Sequence, residues 1–223
     1  MDLLQAMHER HSVRVYDNTP IDDVITAALK RLITTFNAES GLHMQLLTNE
    51  PKAFSGIKAR YGKFRNVRNY IALIGRKGPD LGELCGYYGE QLVLEAQTLG
   101  LKTCWVGGTY KKVPKVLSVD NGEKLVAVIA VGYSNEDGTQ HTNREFNEVS
   151  KTIGAMPEWY VKGVEAALLA PTAINQQKFV FELIDDEKVR ATTALGPFST
   201  VDLGIAKYHF ELGSGKDDTI WTD

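Results

Sequence analysis

Apolar residues recur at helical spacing over residues 21–35, where Ile21, Val24, Ile25, Ala28, Leu29, Leu32 and Ile33 fall on one stripe. Asn18-Thr19-Pro20 precedes them as a helix-start signal. A short helix is expected over residues 2–9, with Leu3, Leu4 and Met7 on one face. Residues 81–99 read as a long, mostly apolar helix that Gly100 stops. Its Gly82, Gly86 and Gly89 admit close packing or a nearby ligand. Another helix starts near Pro157 and runs to about Leu169. The continuous apolar run 70–74 (YIALI) is that of a buried strand. Residues 125–133 (LVAVIAVGY) are apolar on both faces and should be central. Shorter strands are expected at 41–48, 102–106 and 179–184, with a weaker candidate at 207–212. Residues 134–151 are polar and read as a long connection, and the last ten residues as a mobile tail.

The chain carries an internal echo. Placing Pro20 on Pro157 without gaps puts Val24 on Val161, Leu32 on Leu169, Leu46 on Leu183 and Glu50 on Glu187. Helix lands on helix, loop on loop and strand on strand. A weaker echo pairs Cys85-Gly86-Tyr87-Tyr88 with Leu203-Gly204-Ile205-Ala206. Such a register is what a symmetric homodimer leaves once its protomers are joined and one degenerates. Any helix-loop-strand unit that begins with proline gives similar matches. The expected organisation is a first half, 1–150, and a shortened second half, 151–223.

Composition narrows the function classes. The 223 residues are 43% hydrophobic and 24% charged, ordinary for a globular chain able to bury a full core. A net charge of −3 gives no general attraction for nucleic acid or acidic lipid. Cys85 and Cys104 are too few for a disulfide scaffold or a cysteine-rich zinc site. Charges interrupt every apolar run near the start, so neither a signal peptide nor a membrane anchor is expected, and the expected location is cytoplasmic.

Three stretches carry candidate chemistry. In Arg10-His11-Ser12-Val13-Arg14 two arginines flank a serine, and a guanidinium binds phosphate oxygens through two parallel hydrogen bonds. A solvated basic turn has the same composition. In Cys104-Trp105-Val106-Gly107-Gly108 a strand end meets two glycines, which lets a planar ligand lie against bare backbone or simply makes a tight turn. Ala170-Pro171-Thr172-Ala173-Ile174-Asn175-Gln176-Gln177 is a polar loop whose Asn175 and Gln177 amides can read the edge of a flat heterocycle. Arg144 follows the central strand and means nothing alone. Cys104 reads as a small core residue, and His11 and His209 as structural. HExxH, G-x-S-x-G and G-x-G-x-x-G motifs are absent, and Gly213-Ser214-Gly215-Lys216 lacks the first glycine of a phosphate loop.

Taken in order, these pieces resemble the nitroreductase family of flavin enzymes. Arg10-His11-Ser12-Val13-Arg14-Val15-Tyr16 with Thr19-Pro20-Ile21 is similar to that family's opening signature. The stretch from Leu99-Gly100 to Gly107-Gly108 is similar to its mid-chain signature, and Gly132-Tyr133 followed by Arg144 to its last core strand and phosphate-contacting basic residue. Residues 170–177 resemble its amide loop, displaced. Ordinary members place that loop soon after the opening signature, where this chain has Thr34-Thr35-Phe36-Asn37-Ala38-Glu39-Ser40. The good copy stands at the register of the echo. The resemblance is therefore to the single-chain, pseudo-dimeric TM nitroreductase branch.

That resemblance implies an α+β fold with a mixed sheet flanked by helices, two related halves, a monomer and one FMN per chain. It implies that Arg10, Ser12 and Arg144 serve the phosphate and ribityl end, that Arg14 approaches the pyrimidine edge, and that His11 counts among the cofactor-binding residues. Val106, Gly107 and Gly108 would face the ring, with Ala170, Pro171, Thr172, Asn175 and Gln177 covering it from the second half. NADH or NADPH would donate electrons and a nitroaromatic, quinone or similar small molecule would accept them, in ping-pong order. A flavin-binding sensor or store without turnover is the alternative.

Overall fold

The computed structural model describes residues 1–152, 154–185 and 187–222. In chain order these form α1 (Leu3–Glu9), α2 (Asp23–Ser40), β1 (Gln45–Leu47), α3 (Ile57–Tyr61), β2 (Tyr70–Arg76), α4 (Leu81–Thr98), β3 (Lys102–Val106) and β4 (Glu123–Gly132). There follow α5 (Phe146–Val149), β5 (Ser150–Lys151), α6 (Glu158–Ala167), β6 (Phe179–Leu183), β7 (Val189–Thr193), α7 (Ser199–Ser214) and β8 (Trp221–Thr222). The strands make two four-stranded sheets, ordered β1-β2-β4-β3 and β5-β6-β7-β8. The first is antiparallel throughout; the second is mixed, with β5 and β8 parallel to their neighbours.

The two clearest apolar runs occupy the middle of the first sheet. β2 and β4 pair along their length and are buried on both faces. Ile71, Leu73 and Ile129 face α4 and its core, whereas Ala72, Ile74, Val128 and Ala130 face Phe54, Phe64 and Tyr110. Two-sided burial is why these strands show no alternation. α4 ends where Gly100 takes φ 78°, a conformation that costs glycine least. A third core lies between the second sheet and α6 and α7, built on Tyr160, Phe179, Phe181 and Phe210.

α4 and α7 cross at two glycines. A Cβ on Gly86 would lie 2.0 Å from the Val201 carbonyl oxygen, and one on Gly204 would lie 2.0 Å from that of Glu83. The contacts are reciprocal: each glycine sits against the carbonyl three residues before the other. Buried and half-buried polar groups at this crossing are satisfied across it. Glu90 Oε1 lies 2.9 Å from His209 Nε2, Lys207 Nζ lies 2.6 Å from Glu83, and the Tyr87 hydroxyl donates to Glu211 at 2.5 Å.

Several expectations are corrected. Residues 207–212 are not a strand but lie within α7, which is buried on most sides and so shows no amphipathic stripe. Residues 34–40 are not a loop: α2 runs on to Ser40 because no proline intervenes, and Gly41 caps it at φ 70°. The equivalent stretch in the second half does leave the helix: α6 ends at Ala167, before Pro171, so the echo does not place loop on loop. Leu4 and Val24 face solvent rather than the core. The connection 134–151 contains α5 and β5, and β7 was not anticipated. Nor is the C-terminal stretch loose as far as it is described. Ile220 is buried, the Trp221 indole donates to Glu211 at 2.5 Å, and β8 pairs with β7; Asp223 lies outside the described residues.

Candidate functional site

The N-terminal turn is pinned from both sides. The Val13 N–H donates to the Thr103 carbonyl at 3.0 Å, Ser12 bridges to both Thr103 and Thr139, and the Ser134 hydroxyl donates to the Val15 carbonyl at 2.7 Å. The polar connection thus runs over the turn and onward to the second half. There the Asn175 and Gln177 amides both donate to the Thr142 carbonyl, at 2.9 and 2.8 Å, and Gln177 Oε1 accepts from the Arg144 N–H at 3.1 Å. Gln177 also donates to Asn175 Oδ1 at 2.8 Å and receives the Thr172 hydroxyl as acceptor for its own N–H. Residues far apart in sequence are thereby stitched into one rim.

Beside that rim lies a cavity of about 550 Å³. Ser12 and Arg14 line it from the turn, Cys104 to Gly108 from the end of β3, and Pro171 to Ile174 from the second half. Its remaining walls come from Phe198, Val201, Asp202 and Ile205 on and before α7, and from Tyr61 to Phe64. The two glycines are not equivalent. A Cβ on Gly107 would strike the Phe198 ring at 2.5 Å, whereas one on Gly108 would meet nothing within 4 Å, so backbone is open there.

Strain concentrates on the second-half wall. Ile174, Asn175, Gln177 and Phe198 all have positive φ, at 49°, 55°, 40° and 59°. Asparagine tolerates this, but a β-branched residue such as Ile174 does so at a cost of about 1–2 kcal/mol. Ile174 is nevertheless 88% exposed at the cavity wall, so no packing gain explains it.

Asp202 holds this wall. Its side chain is buried, Oδ1 accepts the Ala173 N–H at 2.9 Å, and Oδ2 accepts Gln176 Nε2 at 2.6 Å. Burial raises its carboxyl to about 6, against the pull of those two hydrogen bonds. Among the described residues no cation pairs with it.

The residues expected at the site divide into three groups. Ser12, Arg14, Val106, Gly107, Gly108, Pro171 and Thr172 line the cavity. His11, Arg144, Ala170, Asn175 and Gln177 do not line it: Ala170 is buried in the second-half core, and the two amides turn to the connection, where Gln177 accepts the Arg144 N–H. Arg10 is buried against α4: its Nε lies 3.9 Å from Glu90 Oε1 and has no hydrogen-bond partner. Glu90 in turn accepts the Trp105 indole at 2.7 Å. Burial raises the Cys104 thiol, in keeping with a core residue. Phe198 and Asp202 were not anticipated. Their signal was the helix-start pattern Ser199-Thr200-Val201-Asp202, obscured by reading a strand a few residues later.

The donor set suits FMN. An arginine and hydroxyls at one side, open backbone at Gly108 and an apolar wall of Pro171, Phe198, Val201 and Ile205 match a flat heterocycle with a polar edge and an anionic tail.

The arrangement is that of the nitroreductase fold. A crystal structure described as a "putative nitroreductase" of Thermotoga maritima superposes with a TM-score of 0.68 at 23% identity, covering 96% of this chain and 83% of the other. A "putative nitroreductase" of Desulfovibrio desulfuricans, solved in complex with FMN, gives 0.53 at 19% identity over 70% of this chain and 98% of its own. A nitroreductase family protein of Streptococcus pneumoniae gives 0.53 at 14% identity over 66% and 98%. No curated protein matches the chain. The family described as "Putative TM nitroreductase" matches residues 2–214, and this chain belongs to it.

Proposed function

We propose that the chain is an FMN-dependent oxidoreductase with one flavin site. The observation that carries the reading is the convergence of Ser12 and Arg14, Gly107 and Gly108, and Pro171 and Thr172 on one cavity. The FMN bound by the Desulfovibrio desulfuricans relative supports the choice of cofactor. Bound FMN would supply a two-electron centre between NADH or NADPH and a nitroaromatic, quinone or similar acceptor, in ping-pong order.

The chain's own residues bind and orient. Arg14, which lines the cavity, would place positive charge beside the ring's polar edge, where such a charge favours the electron-rich form. The N–H of Gly107 or Gly108 would donate toward the ring. Ser12 would serve the ribityl and phosphate end, with Arg144 and Arg10 reaching it from outside the cavity lining; the buried Arg10 Nε has a donor without a partner. Thr172 and Pro171 close the second-half side, and Asn175 and Gln177 hold the connection that carries Arg144.

The reciprocal contacts of Gly86 and Gly204 support an internal pseudo-dimer acting as a monomer. The first sheet draws on residues 45–132 and the second on 150–222, in keeping with halves at 1–150 and 151–223. Among the described residues no helix is long and apolar enough to cross a membrane.

Purified protein should be yellow, with one flavin per chain. Anaerobic NAD(P)H should bleach the flavin bands, and a quinone or nitroarene should restore them. Colourless protein that refuses added FMN would overturn the assignment. Stable binding without bleaching would leave a sensor or store.

A further inference from the structure

The cavity has a neighbour that the reading above does not use. A second groove of about 550 Å³ adjoins it at Gly107 and Gly108, which line both. Its floor is apolar, from Ala53, Ala59 and Tyr110; Tyr110 stacks on Phe54, and the Lys111 N–H donates to the Ala53 carbonyl at 2.8 Å, so the two walls are tied together. Its rim carries Lys58, Lys111 and Lys112, and no acidic residue lines it. All three lysines are exposed and none forms an ion pair with a carboxylate among the described residues. In a chain of net charge −3, three unpaired ammonium groups on one rim form a local field for a polyanion.

We propose that this groove takes the adenosine-phosphate end of the electron donor and makes the chain selective for the 2′-phosphorylated dinucleotide, NADPH over NADH. The inference rests on the flavin reading, since the shared glycines are what join the groove to the site. A donor reaching the ring past Gly107 and Gly108 would lay its phosphates along this rim. The pyrophosphate is common to both donors; the 2′-phosphate adds about two further charges near neutral pH. Lysine meets such groups as a point charge, without the fixed fork of arginine, so the binding should depend strongly on salt.

Calorimetry on the full FMN-loaded chain, with adenosine 2′,5′-bisphosphate and 5′-AMP as probes that differ only in the 2′-phosphate, tests this without turnover. At low salt the 2′,5′-bisphosphate should bind about tenfold or more tightly than 5′-AMP, and raising the salt should erase most of the difference. The Lys58→Glu/Lys111→Glu/Lys112→Glu variant should lose that preference while keeping its FMN absorbance, and its kcat/KM should fall for NADPH but little for NADH. Equal binding of the two probes, or a preference that survives the triple substitution, overturns the proposal while leaving the flavin assignment intact. Should the variant misfold, the single charge reversals, each at an exposed position, carry the same comparison. Failure of the wild-type chain to hold FMN would instead strike the reading beneath.

Discussion

Replacing Asp202 with asparagine separates the cost of a buried charge from the value of the bonds it makes. A carboxyl raised from 3.8 to about 6 holds its proton more tightly in the folded chain than in the unfolded one. Its contribution therefore favours folding below about pH 4 and is lost as pH rises toward 6. Above that both states are ionised and the folded state bears the whole desolvation cost. At about 1.4 kcal/mol per pH unit, the span between the two values amounts to about 3 kcal/mol. Asparagine does not titrate. Its oxygen keeps the Ala173 N–H, but its amide would face Gln176 Nε2, donor against donor. Turning Gln176 would offer the Oε1 that is buried without a partner, at the expense of its bond to the Pro197 carbonyl at 2.8 Å. One hydrogen bond is lost either way, about 1 kcal/mol and independent of pH. Urea unfolding of wild type and Asp202→Asn from pH 4 to pH 8 should thus show the variant gaining on wild type by about 2.5 kcal/mol as pH rises, the remainder of the span lying below pH 4. A difference that stays flat, or that moves the other way, would refute the buried-carboxylate account.

Other outcomes follow from the same geometry. Gly86→Ala or Gly204→Ala forces a methyl into a backbone carbonyl and should cost about 3 kcal/mol or more in denaturant unfolding, with α4 and α7 pushed apart. Ile174→Asn should stabilise the chain by about 1 kcal/mol, because the position is exposed and left-handed; a neutral result would mean the φ of 49° is not strained. Gly108→Ala should leave stability nearly unchanged, since its methyl meets nothing, yet weaken FMN retention by covering open backbone; undiminished flavin content would move the ring elsewhere. Both thiols are buried, with Cys85 pushed up to about 12, so a thiol reagent at pH 8 should label neither until the chain unfolds.

Much of the first sheet was readable directly. β3 falls on the expected residues, and β2, β4 and α4 differ by a residue or two at their ends, because long apolar runs and Gly100 are local signals. The site was legible in pieces. Arg14 with Ser12, the glycine pair and the proline loop each stood out by residue type, but their meeting depends on contacts across the chain. Thr142 receiving both Asn175 and Gln177 is such a contact, and nothing in a run of polar residues announces it.

The amino-acid order by itself determined the elements whose stability is local: a helix stopped by a left-handed glycine, strands with two apolar faces, a loop begun by proline. Only the tertiary structure decided the rest. α7 carries Asp202, His209 and Glu211 on faces that turn out to be buried, and each is tolerated because α4, the amide loop or Trp221 supplies its partner. A polar residue inside a core has no signature of its own, since its cost is cancelled by a group from elsewhere in the chain.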